Sequence, residues 1–192
     1  MRFAGVDVGG RRKGFDVAVL ETGEPVTLSC PPVRLRTAEA VIAFLREWKP
    51  RLVAVDSPIS AAPDDARSRD GERALASAVC GIRFTPDRTS LASRTDGYYE
   101  WILHGLELYE GLRGAGFEAI ECFPTATWTR LGGPRGTTSR ARWSDAVLRE
   151  LPVAHLPTRM GQDARDAIGA AYTARLHARG ETETFSELVV PR

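Results

Sequence analysis

Three short apolar runs in this chain each carry an acid at or near their end: Asp7 in RFAGVDVGG, Asp56 in RLVAVD and Glu121 in FEAIECF. An ionised carboxylate in a dry core costs several kcal/mol unless it is paired, hydrogen-bonded or bound to a metal. If the three runs are parallel strands, their C-terminal ends line one edge of a sheet, where α/β proteins bind ligands. A fourth acidic group opens QDARDAIGAAYTARLHARG, where Asp163 and Asp166 stand three residues apart and share a helix face. Ala167, Ala170, Ala171 and Ala174 give that helix a thin stripe on which it can lie close to the sheet. Carboxylates converging in this way repel one another, and a divalent cation resolves the conflict. Oxygen ligands without histidine or thiol favour Mg²⁺ or Mn²⁺ over zinc. Two such ions, about 4 Å apart, clamp an in-line attack on a phosphodiester. The chemistry to expect is metal-dependent hydrolysis, with Asp7 shared between the ions, Asp56 and Glu121 each anchoring one, and Asp166 completing the second.

Each acid also has a plainer reading. Asp7 forms turns, Asp56 before Ser-Pro can cap one, and Asp163 is an easy helix N-cap with Asp166 well placed for the helix dipole. Glu121 is the hardest to explain this way, because fully buried glutamates are rare.

The elements that must position these acids follow from the hydrophobic pattern. Residues 2–8 and 15–21 form two strands around the turn GGRRKG, and VTLSC with VRLR supplies a third, more exposed one. Thr37 caps the helix AEAVIAFLREW, which ends before Pro50, and 51–56 is a compact buried strand. Residues 57–94 are polar, with arginines and acids in near balance and a short helix near 71–80. TDGYYEWILHGLELYEGLRGAG makes a long amphipathic helix, and 117–123 a strand halted by Pro124. A flexible basic loop then leads into a helix through Leu151, and the last helix spans 162–180. A strand meander followed by strand–helix crossovers implies an α/β fold, a mixed sheet with helices on its faces. The continuous apolar character of 2–8, 51–56 and 117–123 marks these as its central strands.

With 192 residues, 43% apolar and 27% charged, the chain is in the ordinary globular class, and one domain over 1–192 is expected. A net charge of +1 excludes a general polycation, so any nucleic-acid contact must come from a local patch. Cys30, Cys80 and Cys122 include no CxxC pair and read as reduced, and the three histidines form no zinc spacing. No signal-peptide pattern or membrane-length apolar run is present, so a cytoplasmic location with no membrane partner is expected.

The blocks GVDVGG, VAVDSPI, IECFP and DARDAIGAAYTARLHARG resemble the signature of the domain-of-unknown-function family numbered 429, predicted RNase H-like nucleases. The likeness runs from about residue 3 to about residue 180. It implies an RNase H-like mixed five-stranded sheet, three antiparallel strands then two parallel to the first, flanked by helices. It also implies an acidic metal site with Asp7, Asp56, Glu121 and Asp166 as ligands and Asp163 as a supporting or alternative one. The segment ARSRDGERALASAVCGIRF matches that family's pattern only loosely.

Around this site, Arg135, Arg140 and Arg142 lie in a basic stretch that could hold a phosphate backbone, and Arg83 could face the acids. Tyr98, Trp101, Ile102, Leu106, Tyr109 and Leu112 fall at helical spacings, as core packing or as a homodimer interface. Two other functions compete with a nuclease. One is a non-catalytic RNase H-like module that binds nucleic acid or protein. The other is an actin- or sugar-kinase-like nucleotide binder, which needs more glycine-rich phosphate loops than LGGPRG offers.

Overall fold

The computed structural model describes residues 1–192. Strands β1 (Arg2–Val8) and β2 (Phe15–Glu21) form a hairpin, followed by the short strands β3 (Val26–Leu28) and β4 (Val33–Leu35). Helix α1 (Ala38–Trp48) starts where expected, with the Thr37 hydroxyl accepting from the Ala40 amide, and leads to β5 (Leu52–Asp56). Three helices come next, α2 (Asp70–Ala78), α3 (Arg88–Ser93) and α4 (Glu100–Gly114), then β6 (Ala119–Cys122). Helices α5 (Pro124–Gly132) and α6 (Arg140–Glu150), strand β7 (Val153–Ala154), helix α7 (Gln162–Ala178) and the hairpin β8 (Thr182–Phe185) and β9 (Leu188–Pro191) complete the chain.

The strands form one mixed sheet of order β7-β3-β2-β1-β5-β6-β9-β8, with β4 also paired to β2. Within it, β3, β2 and β1 run antiparallel, and β5 and β6 lie parallel to β1. This is the arrangement of three antiparallel and two parallel strands that the resemblance implies, extended from five strands to nine by β4, β7, β8 and β9. The stretch read as one third strand is two, because Pro31 and Pro32 separate β3 from β4 and cannot donate to a ladder. Helix α5 was read only as the residues after a halted strand, although Pro124 sits at its start, where proline's missing N–H costs nothing. Strand β9 covers the edge of β6 that the sequence reading left open.

Alternation along β1 and β5 sorts the layers. Val6, Val17, Val53 and Val55 face a core closed by Val41 and Leu45 of α1 and Leu108 of α4. Phe3, Leu52 and Ala54 face Ala170 and Ala174 of α7. Gly5 lies in register with Ala54, on the α7 side, and a Cβ there would stand 2.1 Å from the Ala167 carbonyl oxygen and the Ala171 amide. Helix backbone touches sheet backbone at this point, which is what the alanine stripe permits. Gly5→Ala is therefore expected to push α7 outward and to cost about 1–3 kcal/mol, with weakened divalent-cation binding. Gly81→Ala, whose Cβ meets nothing within 4 Å, is the neutral control. Thermal denaturation and calorimetry on both variants check this.

Candidate metal centre

The hairpin register sets Asp7 opposite Asp16, and the parallel register sets Asp7 beside Asp56. Asp56 is two residues beyond Ala54 and shares its face, the side covered by α7. The close docking of α7 at Gly5 delivers its first turns to the same point. Asp7, Asp56, Asp163 and Asp166 then line one cleft of about 470 Å³, together with Gly9, Gly10, Lys13, Arg83, Trp101 and Arg140.

Asp166 is 2% exposed and Asp7 8% exposed, so neither is solvated freely. Asp166 accepts from the Trp128 indole at 2.9 Å, from the Gln162 amide at 3.0 Å and from Arg140 at 2.9 Å. Asp163 is not a cap: Gly161 occupies the N-cap position, and Asp163 accepts from Lys13 Nζ at 2.6 Å and Arg34 Nη2 at 2.9 Å. Arg34 also holds Asp16, so Asp7, Asp16 and Asp163 bring ligand oxygens within 4.8 Å of one another. Burial pushes the Asp7 carboxyl up to about 7, reinforced by the charges of Asp166 and Asp163 and opposed by Lys13. Burial also raises Asp56 well above the usual carboxylate range, and Asp7 and Asp166 add to the effect. Asp16 and Asp166 are raised by burial against the opposing effect of their arginine partners.

Glu121 does not join this cluster. It stands in register with Val55, not Asp56, so the two-residue period of a strand turns it away from the cleft and into an adjoining cavity of about 50 Å³ that Asp56 and Arg69 also line. There Arg69 Nη1 donates to it at 2.7 Å, Arg69 Nη2 makes a second bond, and the Ile59 amide donates at 2.8 Å. Arg69 also binds Glu72, which accepts from the amide and hydroxyl of Thr85. All three ionic side chains of this network are less than 5% exposed.

Of the basic residues, Arg140 and Arg83 line the cleft, and Arg135 lines a groove beside it with Arg140, Phe123 and Thr129. Arg142 is exposed and lines neither. Arg130 and Arg149, from the same basic stretch, are occupied by Glu183 and Asp145. Five residues that hold or join the acids escaped the sequence reading: Lys13, Asp16, Arg34, Trp128 and Gln162. Asp16 was legible from the hairpin, since a turn over 9–14 sets it opposite Asp7. Trp128 was not, because its helix was not recognised.

The donor set fits a hard divalent cation: carboxylate oxygens on three elements, with no histidine or thiol among the residues lining the cleft. Asp7 and Asp56 are raised first by burial and then by the charge of their acidic neighbours, which Lys13 and Arg140 oppose.

No family model matches the sequence, and no curated protein matches it. Among solved structures, RuvC of Thermus thermophilus is similar over 94% of this chain and 96% of its own, with 18% identity and a TM-score of 0.55. The same protein in complex with a Holliday junction substrate gives 19% identity, 96% and 98% coverage and a TM-score of 0.56. The yeast mitochondrial Holliday junction resolvase Ydc2 gives 11% identity, 88% and 75% coverage and a TM-score of 0.51. The likeness is one of fold, and the fold is RNase H-like. No helix is long and apolar enough to cross a membrane.

Proposed function

We propose that this protein is a divalent-metal-dependent nuclease that hydrolyses phosphodiester bonds in the cleft between β1, β5 and α7. The observation that carries the reading is the convergence of Asp7, Asp56 and Asp166, with Asp163 beside them, from three separate elements. The resolvase neighbours and the resemblance to the family numbered 429 support it as analogy.

Asp7, Asp56, Asp163 and Asp166 would hold Mg²⁺ or Mn²⁺, with Asp7 set beside Asp56 by the parallel register. When bound, such ions neutralise charge on the phosphoryl oxygens and lower the pKa of an attacking water. Trp128 and Gln162 fix the Asp166 carboxylate, so its orientation is set before ligand arrives. Lys13 and Arg140 balance the acids in the meantime, and both line the cleft, where they can turn to a phosphate once cations hold the carboxylates. Hydrolysis adds water across a P–O ester bond: the water oxygen bonds to phosphorus, the bridging oxygen leaves and takes up a proton, and a phosphate monoester and a hydroxyl result.

The test has two steps. Calorimetric titration of Mn²⁺ into the protein is expected to show binding that Asp7→Asn loses. Divalent-dependent cutting is then sought across four-way DNA junctions, single strands, duplex RNA and RNA–DNA hybrids. Mn²⁺ binding with no cutting of any of these would favour the non-catalytic module.

A further inference from the structure

At Arg83 the cleft has an aromatic and basic rim. Tyr98 was read as the start of a helical apolar stripe, but α4 begins only at Glu100, and Tyr98 stands before it at 41% exposure. Two guanidinium groups lie close to its ring, Arg83 at 5.0 Å and Arg94 at 4.2 Å from the centroid. Tyr99 packs edge-on against it, with ring centroids 4.9 Å apart, and Phe84 beside Arg83 is 43% exposed. Arg94 is neutralised by Asp96, which also accepts from the Tyr98 amide at 3.0 Å and so sets the loop. Arg83 has no carboxylate partner, and it lines the cleft that holds the acids.

The rim is built on a rigid mount. Thr85, two residues from Arg83, is held by Glu72, and Glu72 by Arg69, whose guanidinium is fixed to Glu121 on β6. The backbone of the same segment is pinned a second time, by the Ala62 amide to the Pro86 carbonyl at 3.0 Å and the Asp87 amide to the Ala66 carbonyl at 3.2 Å.

A phosphate backbone alone is recognised by cations and needs no exposed ring. Stacked aromatic and guanidinium planes suit the π-face of a base, and a base offers that face only where it has left its own stack. Resting on the nuclease reading, we propose that Arg83 and Tyr98 form a stacking platform for an unpaired nucleotide next to the phosphate held over the carboxylates. The substrate is then a strand with an unpaired segment at the cut, and an intact duplex is excluded. The unpaired cation of Arg83 complements the strand's charge, and its place on the cleft wall makes platform and acids one continuous surface.

The test uses a short single strand carrying 2-aminopurine, and the same sequence as a blunt duplex, titrated with the protein in Ca²⁺. The expected result is quenching of the single strand on binding, with the duplex bound at least tenfold more weakly. Tyr98→Ala is expected to weaken single-strand binding about tenfold and remove the quench, with Tyr98→Phe restoring both. Arg83→Gln weakens binding without abolishing the quench. Equal binding of duplex and single strand, no binding of either, or indifference to Tyr98→Ala would each overturn the platform. A strand that binds with this Tyr98 dependence yet is never cut in Mg²⁺ or Mn²⁺ sinks the nuclease reading and leaves the platform standing. Cutting that is unaffected by Tyr98→Ala does the reverse.

Discussion

Asp7→Asn is expected to reduce divalent-dependent cleavage by at least about 1,000-fold while making the metal-free protein more stable at pH 8. The two effects share one cause. Asp7 is buried among Asp56, Asp163 and Asp166, and its carboxyl is raised to about 7 by that burial and by its acidic neighbours. A group whose folded pKa lies above its unfolded value binds more protons in the folded state. Stability of the metal-free protein therefore falls as pH rises from about 4 through about 7, the interval between the two values. Asparagine keeps the shape and removes the charge, so the variant escapes that loss. Its melting temperature should exceed that of the wild type at pH 8, with little difference at pH 4. Each kcal/mol gained is worth about 2–4 °C for a chain of this size. Saturating Mn²⁺ should reverse the order at pH 8, because only the wild type gains binding free energy. A variant that melts below the wild type at pH 8 without metal would show that Asp7 is a structural acid, and undiminished cleavage would remove it from the mechanism.

Arg69→Met is expected to cost about 3–5 kcal/mol, a fall of roughly 6–20 °C in melting temperature, because it strands two buried carboxylates. Arg69 is the cation shared by Glu121 and Glu72, and neither glutamate has another. Burial already raises Glu121 despite Arg69, so without the guanidinium it takes up a proton more readily still. The loss should accordingly shrink toward acid pH. The companion experiment concerns the register of β6: Glu121→Gln should leave Mn²⁺ affinity unchanged, whereas Asp56→Asn should weaken it strongly. Equal losses from the two substitutions would mean that Glu121 reaches the cations and that its pairing with Arg69 breaks when they bind.

Much of this was legible in the residues. The apolar runs of β1 and β5 place Asp7 and Asp56, the alanines of α7 announce a helix that can touch the sheet, and Thr37 marks where α1 begins. These are local signals, set by side-chain period and capping, and they survive folding because no distant contact contradicts them. The short C-terminal strands were not legible, since β8 and β9 become strands only by pairing with each other and with β6. Helix α5 signalled its start with Pro124, but its tryptophan has a purpose only once α7 lies alongside.

Glu121 marks the boundary. An acid at the end of a buried strand is visible in the sequence, and so is the need to compensate its charge. Which compensation it receives depends on a register one residue out from Asp56, and that one residue turns it from the cleft into the adjoining cavity with Arg69. The sequence by itself determined that acids stand at the ends of the strands that become the centre of a mixed sheet. Tertiary structure alone decided which of them share a cleft. Strand register and the approach of α7 at Gly5 are long-range contacts, and no spacing along the chain encodes them.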